Sequence, residues 1–349
     1  MGWRPASLLV LIFAWACTGT AKRASDDEID ERIRFYSSRL ETSPRLYPVH
    51  VQLAAAYLDK TRATHDPRWL AEARLSLERS VAIVPTFEAY VMRARVENYA
   101  HRFEDALSWS RLALPRTGSP DPLVVAVLVE AHAALGEYDQ ARALLPPEGT
   151  APADLVTAAA VAGWFSSQAR HEEAARAYDA AAELARAEGA AKAAQWAEVM
   201  AAGALLDARR PELARPRLDA ARRVDPGDPL LRRHEAEWLA VEGRRAEALA
   251  GYEKLLDEQP DPELHARAYQ LALALGDDER AQRHFGAAER GFRRAIDAGE
   301  VYTLGALAQL YLDAGVRLDD ARGLAERNLH YRRDRAAHAL MSEMKRRSP

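Results

Sequence analysis

From residue 28 onward, apolar positions fall in paired stretches of helical period, three or four residues apart and broken by short polar turns. The stretch LAVEGRRAEALAGYEKLLDEQP, residues 239–260, predicts a helix ending at Gly243, a second beginning at once, and a stop at Pro260. The stretch LLDARRPELARPRLDAARRVDP, residues 205–226, repeats the plan. In both, an alanine (Ala248, Ala214) precedes the closing proline by twelve residues. A large apolar residue follows each alanine by four (Tyr252, Leu218).

That alanine recurs at Ala73, Ala106, Ala141, Ala174, Ala214, Ala248, Ala281 and Ala321, with spacings of 33, 35, 33, 40, 34, 33 and 40. Four residues later stand Leu77, Ser110, Leu145, Tyr178, Leu218, Tyr252, Phe285 and Ala325. Small residues lie twelve before the marker at Ala94, Ala162, Ala202 and Ala236, and glycine five before it at Gly136, Gly243 and Gly276. Prolines close second helices at Pro85, Pro226 and Pro260. Two antiparallel helices approach closely only where side chains are small, and glycine supplies the left-handed turn that ends the first of them. Each pair has two apolar faces and buries both only by stacking on neighbours.

A period near 34 in a helical pattern resembles the tetratricopeptide repeat family, over about residues 46–330. The resemblance implies an all-α fold, a right-handed α-solenoid of about eight helix-turn-helix repeats with capping helices at both ends. The expected organisation is a signal segment at 1–16, a tether at 17–27, a capping helix at 28–45, repeats at 46–330, and a cap and tail at 331–349. Three departures stand out. LDKTRATHDPRWLAEAR lengthens the first turn, giving a loop around Thr61–Asp66. The two spacings of 40 call for longer second helices or longer connections. Pro216, inside the helix that starts near Pro211, predicts a kink or a late start.

The first residues change the picture of location. Leu8–Ala16 is an apolar run of nine, far short of the roughly 20 residues that span a bilayer as a helix. A short positive start, a short apolar run and small residues read as a secretory signal. Ala14-Trp15-Ala16-Cys17 resembles the lipobox of bacterial lipoproteins, with Ala14 where leucine is usual and a bulky Trp15. That resemblance implies an acylated Cys17, a membrane-anchored protein facing the periplasm, and membrane contact through the lipidated N-terminus alone. An ordinary signal-peptidase cut after Gly19-Thr20-Ala21 would give a soluble periplasmic protein instead, and an uncleaved N-terminus a cytosolic one.

Composition narrows the chemistry. The 349 residues are 48% hydrophobic and 29% charged with a net charge of −4, which is ordinary globular composition without the clustered cations of a nucleic-acid binder. The one cysteine permits no internal disulfide. Nucleophile elbow, phosphate loop, dinucleotide fingerprint and zinc-protease motif are all absent from the sequence. None of the ten histidines has another three or four residues away, so no helical metal pair is expected. The acidic pairs Glu172-Glu173, Asp277-Asp278 and Asp319-Asp320 fall where second helices begin and complement the helix dipole. Tryptophans 69, 109, 164, 196 and 238 read as packing residues.

No catalytic residue, metal or cofactor is therefore expected. In the tetratricopeptide family the first helices line a concave groove for a protein or peptide partner. Carried over slot by slot, the resemblance assigns that groove to Glu88, Arg95, Asn98, Tyr99, Glu130, Arg233, His234, Glu237, Arg267 and Gln270. His234, between Arg233 and Glu237, is the one side chain that would motivate an enzyme reading. The sequence names neither the partner nor the oligomeric state.

Overall fold

A computed structural model describes residues 26–114 and 120–347. The signal segment, Cys17 and most of the expected tether lie outside the described residues. Among the described residues all regular structure is helical. A leading helix α1 (Asp26–Thr42) precedes eight successive couples. These are α2 (Tyr47–Thr64) and α3 (Arg68–Ile83), α4 (Phe87–Tyr99) and α5 (Phe103–Ala113), α6 (Pro122–Ala134) and α7 (Tyr138–Ala143), and α8 (Leu155–Ser167) and α9 (His171–Ala187). There follow α10 (Ala191–Asp207) and α11 (Pro211–Val224), α12 (Pro229–Val241) and α13 (Arg245–Glu258), α14 (Pro262–Ala274) and α15 (Asp278–Asp297), and α16 (Leu304–Ala314) and α17 (Leu318–Tyr331). Helix α18 (Arg335–Arg347) follows. The architecture is an α-solenoid of helical repeats. No described helix is long and apolar enough to cross a membrane.

The described chain divides into two compact units. A central unit holds Glu137–Glu289 with Asp334–Ala336. A terminal unit holds the residues before Glu137, Arg290–Arg333 and the residues after Ala336. In the terminal unit α3, α5 and α17 pack on their first helices α2, α4 and α16, and in the central unit α9, α11 and α13 on α8, α10 and α12; first helices also touch the next first helix, α2 on α4 and α4 on α6 in the terminal unit, α10 on α12 in the central one.

The marker alanines explain this stacking. All eight lie in second helices, and none is more than 3% exposed. The small residues twelve before them, Ala94, Ala162, Ala202 and Ala236, are buried in the facing first helices. Five residues before the marker, the backbone turns left-handed in six couples, at His101, Gly136, Ala169, Arg209, Gly243 and Gly276. Only three are glycine, so the slot is fixed by geometry more strongly than by residue type. Where a proline closes the second helix, the residue before it (Val84, Asp225, Gln259) is extended, as the proline ring requires.

The departures resolve locally. Both spacings of 40 include long second helices, of 17 residues in α9 and 20 in α15, each followed by a left-handed glycine, Gly189 or Gly299. The expected loop at Thr61–Asp66 is shorter than the sequence suggested. Helix α2 runs on to Thr64, with the Thr61 and Thr64 hydroxyls donating to the carbonyls of Tyr57 and Lys60, and turns at His65. Helix α11 starts at Pro211 without delay and passes through Pro216, whose ring is exposed. The carbonyl that loses its partner there belongs to Glu212, itself an exposed residue.

Tryptophans pin one couple to the next in the central unit. Trp164 and Trp238, each ten residues before a marker, donate through Nε1 to the carbonyls of Tyr138 (3.4 Å) and Pro211 (3.2 Å). Both carbonyls lie three residues before the preceding marker. Arg142 and Arg215, each one residue after that marker, cover the indoles at 5.5 and 4.8 Å, and Arg170 and Arg244 approach the same rings at 5.8 and 5.9 Å. Trp196 is buried and the other described tryptophans are half-buried.

Candidate binding faces

The residues expected in a groove separate between the two units. In the terminal unit the last turns of α4 and α6 bring Asn98 and Glu130 together. Asn98 is buried, and its Nδ2 donates to the Val127 carbonyl and to Glu130 Oε2, both at 3.1 Å. Burial pushes the Glu130 carboxyl up to about 7, against the Asn98 bond and the guanidiniums of Arg62, Arg332 and Arg95. Arg62 also lies over the Tyr99 ring, 5.4 Å from its centre. Arg95, Asn98, Tyr99 and Glu130 thus belong to one polar cluster. Glu88 stands apart, exposed in the first turn of α4, where its charge complements the helix N-terminus.

In the central unit α10, α12 and α14 supply a second cluster. Burial raises the Asp207 carboxyl to about 7, and neighbouring Glu237 raises it further while Arg267 and Arg209 oppose the shift. Arg233 donates to Glu263 at 3.3 Å. Burial works against its charge, but Glu263, Asp261, Tyr252 and Glu237 outweigh it and raise the guanidinium's pKa. Arg233, Glu237 and Arg267 therefore act together, with Asp207, Tyr252 and Glu263. Gln270 is half-buried on α14.

His234 is not on a groove surface. It is buried, and its Nδ1 lies 2.9 Å from the Leu230 carbonyl of its own helix, so Nδ1 carries the proton. Burial depresses its pKa, which keeps the ring neutral. His171 is also depressed by burial, so its Nδ1 contact with Asp207 Oδ2 at 4.0 Å is not a strong ion pair near neutral pH.

Two groupings escaped the sequence. Glu253, His265 and His284 come from three helices: the two Nδ1 atoms are 3.0 Å apart, and His284 Nε2 is 3.4 Å from Glu253 Oε1. The carboxylate can only accept, so His284 donates through Nε2 and its Nδ1 accepts from His265. Among the described residues no group of three or more His, Cys, Asp or Glu is placed to hold a metal ion. The second grouping, in the terminal unit, is Arg74 between Glu97 and Glu300, with its guanidinium 3.2 Å from the first and 2.6 Å from the second. Register within one couple cannot reveal a pair 226 residues apart.

No family model matches the chain, and no curated protein matches it. Solved structures with a related fold include the human IFIT1 dimer with PPP-AAAA, 16% identical, covering 91% of this chain and 75% of that one at a TM-score of 0.48. A tetratricopeptide repeat protein from Parabacteroides merdae is 13% identical, covering 86% and 98% at 0.38. Pseudomonas aeruginosa pilF is 15% identical, covering 75% and 92% at 0.35. Likeness this loose bears on neither ligand nor activity.

Proposed function

We propose that the protein is a non-enzymatic scaffold that binds a protein or peptide partner through the first helices of its central unit. The observation that carries this reading is the group of Arg233, Glu237 and Arg267 on two successive first helices, α12 and α14, with the buried Asp207 carboxyl of α10 beside them. Charges of both signs on rigid helices suit a partner with complementary polar groups, and such patches set specificity more than affinity. The non-enzymatic reading is supported by His234, the one side chain that motivated an enzyme reading, being buried and bonded to its own helix.

The test is photo-crosslinking in the native host from probes at Glu237, Arg267 and Gln270. The expected result is capture of the same polypeptide from at least two positions, lost when Arg233 is changed to Glu. Capture of nothing, or capture indifferent to that charge reversal, overturns the reading.

We further propose export, with the chain anchored through acylated Cys17. The support is the apolar run and lipobox-like stretch before Cys17. The mass of the mature N-terminal peptide from host membranes tests it. A diacylglyceryl-modified Cys17 is expected; an unmodified N-terminus near Lys22, or an intact Met1, overturns the anchor.

A further inference from the structure

In the central unit the fold buries a carboxyl without giving it a hydrogen-bond donor. Asp207 closes α10, and its side chain keeps only 6% exposure. A buried carboxylate ordinarily accepts hydrogen bonds or pairs with a cation. Asp207 accepts no hydrogen bond from a described residue, and its contact with His171 Nδ1, 4.0 Å from Oδ2, is long. Burial lowers the His171 pKa, so that ring brings no charge near neutral pH. Arg267 and Arg209 face Asp207 without pairing with it, and Glu237 faces it with the same sign as its own.

Two further oxygens belong to this group. Glu237, half-buried on α12, makes no hydrogen bond or ion pair with a described residue. Tyr252, on α13, is 3% exposed, and its hydroxyl bonds to no described residue. That hydroxyl faces Glu237, Arg267 and Arg233. Glu237 therefore faces both Asp207 and Tyr252, while Arg233 is taken up by Glu263 at 3.3 Å.

The charges that face Asp207 or Arg233 do not balance. Asp207, Glu237, Glu263 and Asp261 stand against Arg209, Arg233 and Arg267, and burial keeps His171 and His234 neutral. One further positive charge would balance an ionised Asp207. Desolvated and beside Glu237, the Asp207 carboxyl instead holds a proton up to about pH 7.

We propose that Asp207, Glu237 and Tyr252 form a subsite for a lysine side chain of the partner. The inference rests on the scaffold reading and deepens it by naming the partner's chemistry. An ammonium has three donors and no acceptor, which suits two carboxylates and a hydroxyl. Its slender stem suits a carboxylate so little exposed, where a planar guanidinium is broader. A hard divalent cation takes about six oxygen ligands, more than these three side chains supply. Entry of the ammonium drives the proton from Asp207 into solvent, so binding tightens as pH rises through about 7.

The test uses the full chain, labelled with carbon-13 at its aspartate carboxyls, and a capped pentapeptide of four alanines around one lysine. A control peptide carries norleucine in place of the lysine. The Asp207 resonance, assigned by its loss in Asp207→Asn, is followed against pH. The lysine peptide is expected to lower the Asp207 midpoint by at least one pH unit and to bind at least fivefold more tightly at pH 8 than at pH 6. The norleucine peptide should leave the midpoint where it is. Glu237→Gln and Tyr252→Phe, which keep side-chain shape, should each weaken binding of the lysine peptide at least threefold. If Tyr252→Phe loses its helical circular dichroism, Glu237→Gln decides alone. A midpoint that the lysine peptide does not move, or that both peptides move equally, overturns the proposal. Partner crosslinks from Glu237, Arg267 and Gln270 alongside an unmoved midpoint would remove the lysine subsite and leave the scaffold reading standing, whereas absence of crosslinks overturns that reading.

Discussion

The same turn slot behaves differently in the two units. Gly243, in the central unit, has a φ of +83°, and a Cβ placed there would meet nothing within 4 Å. Gly136, in the terminal unit, has a φ of +75°, but a Cβ there would lie 2.6 Å from the Arg333 carbonyl oxygen. Arg333 N–H donates to the Ala134 carbonyl at 2.8 Å, and its guanidinium reaches Glu104 at 3.0 Å. Glycine at 243 answers only to backbone conformation. Glycine at 136 answers also to a strand of chain laid across the turn. The terminal unit thus lays a residue from near its C-terminal end against the Gly136 turn, whereas the Gly243 turn of the central unit carries no such contact.

The largest expected effect breaks the terminal unit's long-range contact. Arg74→Ala leaves Glu97 and Glu300 buried without their guanidinium and should cost about 3–5 kcal/mol in a urea melt. Next come the paired glycine substitutions. Gly243→Ala should cost about 1–2 kcal/mol for the left-handed backbone alone. Gly136→Ala adds about 1–3 kcal/mol for the clash with Arg333. Equal losses in thermal melts would show that the Arg333 contact adds nothing.

Glu130 sharpens the comparison by pH. Its carboxyl is raised in the fold from an ordinary 4.5 to about 7. A group raised on folding contributes stability that is fully present below its unfolded value and is lost as pH rises through the folded one. Its burden therefore grows between about pH 4.5 and 7, reaching about 3 kcal/mol by pH 8. Glu130→Gln should flatten the stability profile over that range, and Asp207→Asn should do the same in the central unit. Two parallel profiles from stopped-flow or equilibrium melts would show that burial governs both carboxyls.

Ala248→Leu overpacks a contact where the alanine has no exposed surface, and should cost about 1–3 kcal/mol by calorimetry. An unchanged melting temperature would mean the repeat register is misplaced. The smallest effect is that of Arg215→Ala, which removes a half-exposed guanidinium from the Trp238 face. A loss of about 0.5–1 kcal/mol is expected, visible also as a change in Trp238 fluorescence.

The repeat register was legible because its signal is local. An alanine, an aromatic or leucine one turn on, and a left-handed slot five residues earlier all lie within a single couple. The slot itself was half visible: Gly136, Gly243 and Gly276 announced it, whereas His101, Ala169 and Arg209 occupy the same conformation without declaring it. Of the expected groove, the charges of Arg233, Glu237 and Arg267 do gather, since they recur on neighbouring first helices. His234 was misjudged because position along a helix does not reveal which face is covered by the next couple. Arg74 with Glu300, and His265 with His284, were out of reach for the same reason: these pairings depend on how helices meet.

The hold of Arg74 on Glu300, in the connector between α15 and α16, is the claim most open to direct test. The measurement is amide hydrogen exchange of the native chain and of Arg74→Ala, followed by mass spectrometry over peptides covering residues 296–305. Loss of the guanidinium should speed exchange at Glu300–Thr303 at least tenfold while peptides from α10–α13 stay unchanged. Unchanged exchange at Glu300–Thr303 in a folded Arg74→Ala protein would contradict the account.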